Sequence, residues 1–152
     1  MPTSDTTSTK VYQSVPMVHV ADVQRSLDFY ERLGFACEST FPAPDGSINW
    51  AAIRSGQARL FLTRGTQPVV ASQQAVLFYM YSQQIEQLRT ELLAAGLADA
   101  GEPPMPDDTR DFSGEPQTSC VFQLRFPFYM PEGELRLHDP DGYCILIGKM
   151  DD

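Results

Sequence analysis

The chain has 152 residues, 42% of them hydrophobic and 20% charged, and its formal net charge is −9. This length and composition fit one globular domain with a substantial core. The acidic balance argues against nucleic-acid binding, which needs basic patches for the phosphates. No apolar run approaches the length needed to cross a bilayer, so no membrane partner is expected.

The beginning of the chain is polar. Residues 1–10, MPTSDTTSTK, lack an apolar signal core, which predicts a disordered tail and a cytoplasmic protein. The three cysteines have no C-x-x-C spacing, and their odd number indicates reduced thiols rather than a disulfide framework. Residues 11–150 are therefore predicted to form a single domain.

The first half, residues 12–64, predicts a strand, a helix and three more strands. VPMVHVAD, residues 15–22, alternates and is rich in valine, as expected of a strand. Asp22 is the predicted cap of the following helix, and Gly34 its predicted end. The three short runs that predict strands are FACESTF, INWAAIR and ARLFLT.

The second half, residues 74–149, repeats this order after a predicted linker at 64–74. AVLFYMY predicts a strand, Ser82 is the cap candidate of a second helix, and Gly96 ends that helix. Residues 98–116 are rich in Pro, Gly and Asp, which predicts a surface loop. SCVFQLRFPFYM, ELRLHD and YCILIG then predict three strands, and a D-P-D-G turn joins the last two. The sequence thus indicates two βαβββ modules, 12–64 and 74–149.

Two motifs, VADVQRSLDFYERLGF at 20–35 and DPDGYCILI at 139–147, carry a resemblance to a known family. In this order and spacing they resemble the vicinal oxygen chelate superfamily. Its members include glyoxalase I, extradiol dioxygenases, fosfomycin-resistance enzymes and bleomycin-resistance proteins. The resemblance covers residues 12–149 and implies an α+β fold. Two βαβββ modules would form a curved mixed sheet, a cup with helices on its outer face and the ligand on its concave face.

The resemblance also locates the metal ligands of the metal-using members. One ligand comes from the first and one from the last strand of each module, and the corresponding residues here are Val15, Phe61, Ala75 and Leu146. A divalent metal needs N, O or S donors, and these side chains offer none. We therefore expect no metal and no cofactor. This pattern resembles the bleomycin-resistance branch, which binds and sequesters a drug without chemistry.

The stretch SVPMVHVADV also resembles that branch. There a proline, corresponding to Pro16, lies where the first strand crosses to the partner subunit of a dimer. The resemblance therefore implies a homodimer.

Strand alternation predicts which side chains point into the cup. The resulting surface is aromatic with few polar groups, which suits a flat organic ligand held by stacking and apolar burial. The predicted ligand-binding residues are Met17, His19, Trp50, Arg59, Phe61, Tyr79, Tyr81, Arg136 and Leu146. Plainer roles compete with this one: His19 as a structural histidine, Trp50 as a core residue, and the two tyrosines as side chains that fill the barrel or a dimer seam.

Three functional hypotheses follow. The first is a metal-free binding protein that sequesters a small aromatic or cationic compound, such as an antibiotic. The alternative is a metal-dependent lyase or dioxygenase of the same superfamily. Its metal would bind at shifted positions such as His19 and His138, or Arg136 would orient a carboxylate while His19 takes a proton. The third is a structural or regulatory module with a vestigial cup. The sequence assigns no catalytic residue and does not identify the ligand.

Overall fold

The structure is a computed structural model that describes residues 10–70, 73, 76–97 and 121–150, with only the backbone of 121–123. Residues 1–9 of the predicted tail, Ala75 and the predicted loop 98–116 lie outside the described residues.

The described residues form strands and helices in the predicted order. No helix among them is long and apolar enough to span a membrane. The elements are β1 (Met17–Val20), α1 (Val23–Glu31), β2 (Ala36–Pro42), β3 (Ile48–Ser55), β4 (Ala58–Arg64), β5 (Leu77–Ser82), α2 (Ile85–Ala94), β6 (Val121–Arg125), β7 (Glu134–His138) and β8 (Cys144–Lys149).

These strands make two four-stranded sheets with the same topology. The strand order is β1-β4-β3-β2 in the first sheet and β5-β8-β7-β6 in the second. The β1–β4 and β5–β8 pairs are parallel, and the remaining pairs are antiparallel. The predicted α+β fold of two βαβββ modules is confirmed.

The helix boundaries follow local chemistry. Asp22 caps α1 by accepting a hydrogen bond from the Arg25 amide at 3.1 Å, as predicted. Gly34 follows α1 with φ of 98°, a conformation that glycine adopts without the steric cost of a Cβ. The prediction for Ser82 is wrong, because β5 continues through Ser82 and Gln84 is the N-cap of α2. The Ser82 hydroxyl instead accepts a hydrogen bond from the Gln84 amide at 3.1 Å.

Each sheet buries one face against its helix. In the first sheet, Val18, Leu60 and Leu62 are buried on the side that packs against α1. In the second, Phe78 and Ile145 are buried on the side that packs against α2. Because strand side chains alternate, their neighbours point to the opposite side of each sheet. We call this side the helix-free face: it carries Met17, Trp50 and Phe61 in the first sheet, and Tyr79, Glu134 and Leu146 in the second.

The strand β2 changes face at a bulge. Cys37 pairs with Ile53, whereas Ser39 pairs with Ala52, so one extra residue lies between them in β2. Phe35, before the bulge, is buried in the core. Phe41, after it, pairs with Trp50 on the helix-free face. Because of the bulge, Phe35 and Phe41 lie on opposite sides of the sheet, although simple alternation would place them on the same side.

The two predicted motifs meet at the D-P-D-G turn. The Asp139 carboxylate accepts the backbone amides of Asp141 and Tyr143, both at 2.9 Å, and the Tyr30 hydroxyl at 2.7 Å. The Asp141 carboxylate accepts the Ala21 amide at 3.0 Å and pairs with Arg25 at 3.3 Å. This turn of module two thus holds the start of α1 in module one, and the bonds fix the modules together.

Candidate ligand-binding site

Aromatic rings line the helix-free face of the first sheet. The ring centres of Trp50 and Phe61 are 5.0 Å apart, and those of Phe41 and Trp50 are 5.4 Å apart. Met17 pairs with Phe61 across β1 and β4. Phe41 is 64% exposed and Met17 is 58% exposed. The four strands of this sheet therefore present one continuous and accessible apolar surface.

A charged group borders this aromatic surface. The Arg59 guanidinium carbon lies 5.6 Å from the Phe61 ring centre, within the range of a cation–π contact. Glu38, in the β2 bulge, accepts hydrogen bonds from Arg54 at 2.6 Å and from Arg59 at 3.4 Å. The bond from Arg54 is the largest cause that lowers the pKa of Glu38. Glu38 is thus an anion that holds Arg59 beside the rings.

The helix-free face of the second sheet carries two accessible tyrosines. The ring centres of Tyr79 and Tyr81 are 5.4 Å apart, and the side chains are 39% and 59% exposed. Leu146 pairs with Tyr79 in the neighbouring strand and is buried. The tyrosines also border a cleft of about 510 Å³, whose other wall includes Phe35 and the hairpin between β3 and β4. Both rings are therefore open to a ligand.

A buried carboxylate lies beneath these rings. Glu134 is fully buried and accepts hydrogen bonds from the hydroxyls of Tyr79 at 2.7 Å and Tyr129 at 3.3 Å. The Arg125 guanidinium lies 3.4 Å from the same carboxylate. Burial, and then the bond to Glu134, raises the pKa of Tyr79. Tyr79 is consequently a neutral phenol whose proton is directed at Glu134.

The polar row continues along β7 but is covered. Arg136 and His138 share the helix-free face with Glu134 and are 3% and 2% exposed. Burial lowers the pKa of Arg136. Cys144 pairs with His138, and burial raises the pKa of its thiol, which makes it a weak nucleophile at neutral pH. In this arrangement a ligand reaches the tyrosines before it reaches Arg136.

His19 lies apart from this row. It is exposed in β1, and its carbonyl accepts the Tyr143 hydroxyl at 3.0 Å. Among the described residues, no three His, Cys, Asp or Glu side chains lie close enough together to hold a metal ion. Phe61 and Leu146, two of the positions at which the family resemblance predicts metal ligands, carry no N, O or S donor in their side chains, so these side chains do not fit such a metal site.

The structure separates the predicted site residues into two groups. Met17, His19, Trp50, Arg59 and Phe61 lie on the helix-free face of the first sheet, whereas Tyr79, Tyr81, Arg136 and Leu146 lie on that of the second. Ring contacts occur inside each group, between Trp50 and Phe61 in the first and between Tyr79 and Tyr81 in the second. Each sheet therefore supplies half of a potential binding surface.

Sequence reasoning missed several residues of this surface. Phe41 was not predicted because its face depends on the bulge in β2. Tyr129 and Arg125 were not predicted because they reach Glu134 from the β6–β7 connection and from the end of β6. The repeated aromatic residues of FPFYM, residues 126–130, were the one available signal.

A family comparison agrees with this architecture. The family model described as Glyoxalase/Bleomycin resistance protein/Dioxygenase superfamily matches residues 14–147. A search among curated proteins found no significant match.

Solved structures share the fold. A bleomycin-binding protein complexed with bleomycin aligns with a TM-score of 0.61 at 15% identity, over 91% of this chain and 98% of that chain. A bleomycin-binding protein from Streptomyces verticillus, complexed with copper(II)-bleomycin, aligns with a TM-score of 0.63 at 19% identity, over 94% and 99%. A bleomycin resistance determinant encoded on the transposon Tn5 aligns with a TM-score of 0.57 at 19% identity, over 92% of this chain and 98% of that chain. At these identities the likeness establishes the fold.

Proposed function

The chain belongs to the glyoxalase/bleomycin resistance protein/dioxygenase superfamily, and on that premise we propose that it is a metal-free binding protein for a flat aromatic molecule. Sequestration of an antibiotic in the cytoplasm is the specific form of this proposal. The bleomycin-binding proteins of the same fold support a small-molecule ligand.

The observation that carries the proposal is the pair of accessible aromatic faces. Rings from Phe41, Trp50 and Phe61 lie side by side on one sheet, and Tyr79 and Tyr81 lie on the other. Large apolar side chains that remain exposed in a folded protein mark a binding surface when they are contiguous. Rings spaced in this way suit a planar ligand, since stacking adds to the free energy of apolar burial.

The proposal includes a homodimer. Both helix-free faces carry exposed apolar or aromatic side chains, among them Met17 and Tyr81, and β1 and β5 each pair with only one neighbour in the described strands. An open edge and an exposed apolar face favour association with another chain. A second copy that places its second sheet opposite the first sheet of this chain would enclose a cup between Trp50 and Tyr79.

A fluorescence titration tests binding. Trp50 is the only tryptophan of the chain, so its emission reports directly on the aromatic face. We expect saturable quenching by at least one of three tricyclic probes that differ in charge: 9-aminoacridine, acridone and acridine-9-carboxylate. If none of the three perturbs Trp50 or raises the melting temperature, the binding function is wrong.

Elemental analysis separates this function from the metal-dependent alternative. The protein is purified without a polyhistidine tag, and its content of Zn, Mn, Ni and Fe is measured. We expect well below one equivalent per chain, because Phe61 and Leu146 carry no donor atoms. One bound equivalent would favour the lyase or dioxygenase with shifted ligands.

A further inference from the structure

We propose that Tyr79 is a hydrogen-bond acceptor in the ligand site, held in that role by Glu134, and that it selects aromatic ligands with an N–H donor over isosteres without one. This inference rests on the proposed function, because it concerns the ligand class of the same aromatic surface.

The short bond between Tyr79 and Glu134 fixes the direction of one proton. The hydroxyl oxygen lies 2.7 Å from the carboxylate of Glu134, which is fully buried. A carboxylate only accepts hydrogen bonds, whereas a phenol has one proton to donate. The Tyr79 proton must therefore point at Glu134, and the bond is strengthened by the charge of its acceptor.

The Tyr79 side chain is also partly open to a ligand. Tyr79 is 39% exposed, and its ring lies 5.4 Å from that of Tyr81 on the accessible helix-free face. With its proton committed, the oxygen offers only lone pairs to a bound molecule. A ligand N–H meets an acceptor there, whereas an ether or carboxylate oxygen meets another lone pair.

The surroundings of Glu134 keep this arrangement in place. Arg125 lies 3.4 Å from one carboxylate oxygen, and the Tyr129 hydroxyl lies 3.3 Å from it. The second carboxylate oxygen of Glu134 accepts the hydrogen bond from the Tyr79 hydroxyl. Because a buried carboxylate must be compensated, rotation of Tyr79 away from Glu134 would leave part of that charge unpaired. Glu134 is thus a positioning residue, and Tyr79 makes the contact.

Two matched ligands test the inference. Acridone and xanthone are tricyclic ketones of nearly the same shape, in which a ring N–H of the first is replaced by a ring oxygen in the second. We expect acridone to bind about five- to tenfold more tightly to the parent protein, as one net hydrogen bond provides. Calorimetric titrations of the parent, Tyr79→Phe, Glu134→Gln and Tyr12→Phe measure this ratio of dissociation constants.

The variants test whether the preference for acridone over xanthone depends on Tyr79 and Glu134. Tyr79→Phe keeps the ring and should bring the ratio close to one while xanthone affinity stays within about twofold. Glu134→Gln should lower the ratio, because the neutral amide no longer fixes the Tyr79 proton. Tyr12→Phe removes an exposed hydroxyl at a position before β1 and should keep the parent ratio.

Each contrary outcome has a distinct meaning. If both ligands bind the parent equally, or if the ratio survives in Tyr79→Phe, the acceptor role is wrong and the binding function stands. Preferential binding of acridine-9-carboxylate over acridone would likewise overturn it, in favour of recognition by Arg125 and Arg136. If neither acridone nor xanthone binds while 9-aminoacridine or acridine-9-carboxylate does, the preference for an N–H donor at Tyr79 is wrong and the binding function stands; if none of the four binds, both are wrong.

Discussion

The face of the sheet on which Trp50 lies could be predicted from the alternation of its strand. In INWAAIR, Ala51 and Ile53 are buried on the helix side, and Trp50 lies on the opposite face next to Phe61. Alternation in one strand was enough to predict this. The neighbours that make Trp50 part of a larger surface come from β2 and β4, and their register is set by strand pairing.

Trp50 and Tyr79 should each contribute to the affinity for a flat ligand. We expect Trp50→Ala and Tyr79→Ala each to weaken binding of a flat ligand about fivefold or more, because a ring pair adds on the order of 1 kcal/mol beyond burial. Calorimetric titration measures the change without relying on tryptophan emission. Both side chains are partly exposed, so both variants should remain folded.

Tyr12→Ala is the matched control for these substitutions. It removes an exposed aromatic ring before β1 and should leave the affinity unchanged. If the Trp50 and Tyr79 variants are folded yet bind as tightly as the parent, the aromatic faces are not the ligand site.

At the scale of elements, β2 marks the limit of sequence reasoning. The pattern of FACESTF predicted a strand, and the structure has one at Ala36–Pro42. Simple alternation would place Phe35 and Phe41 on the same side, because they are six residues apart. The bulge separates them, and its position depends on pairing with β3, which local pattern does not encode.

The D-P-D-G turn was predicted as a turn, but its contacts were not. Asp139 and Asp141 point into module one and hold Tyr30, Arg25 and the Ala21 amide. These contacts span more than a hundred residues of sequence, so neither motif alone indicated the other as its partner. The order of elements was predictable because it depends on local periodicity, whereas this joint depends on tertiary packing.

The buried turn should make stability depend on pH. Burial is the largest cause that raises the pKa of Asp139, to about 6, against 3.8 for the free side chain. Below pH 6 the folded protein binds a proton that the unfolded chain does not yet bind, so folding is favoured there. The free energy of unfolding should therefore fall as pH rises from 5 to 7, by on the order of 1–3 kcal/mol. Burial also raises the pKa of Asp141, which acts in the same direction.

Urea unfolding of the parent and two variants at pH 5.0, 6.0 and 7.0 measures this dependence. Asp139→Asn keeps an oxygen acceptor for the turn amides and should flatten the pH profile. Asp28→Asn changes an exposed aspartate of α1 and should keep the parent profile. A parent protein that becomes more stable from pH 5 to pH 7 would contradict the role of Asp139.

At the scale of the whole molecule, the two modules share a fold but differ in what they present. The first helix-free face is mainly aromatic, with Phe41, Trp50 and Phe61. The second combines Tyr79 and Tyr81 with the buried charges of Glu134 and Arg136. On both faces some of these side chains remain exposed, Phe41 on the first and Tyr79 and Tyr81 on the second, and could meet a partner.

We therefore expect the protein to be a dimer in solution. Burial of the exposed side chains of Met17, Phe41, Leu77 and Tyr81 would favour association, at about 25 cal/mol for each Å² of apolar surface removed from water. Light scattering at micromolar concentration measures the mass, which should be twice the 17.0 kDa of one chain. A mass of one chain across that range would contradict the dimer.

The most direct test of a metal-free aromatic site is a crystal structure of the protein grown with acridone. We predict one planar ligand in contact with Trp50 and Tyr79, with the two residues contributed by different copies and no metal ion at the ligand. A ligand bound away from both residues, or faces filled by protein contacts with no ligand between them, would contradict the account.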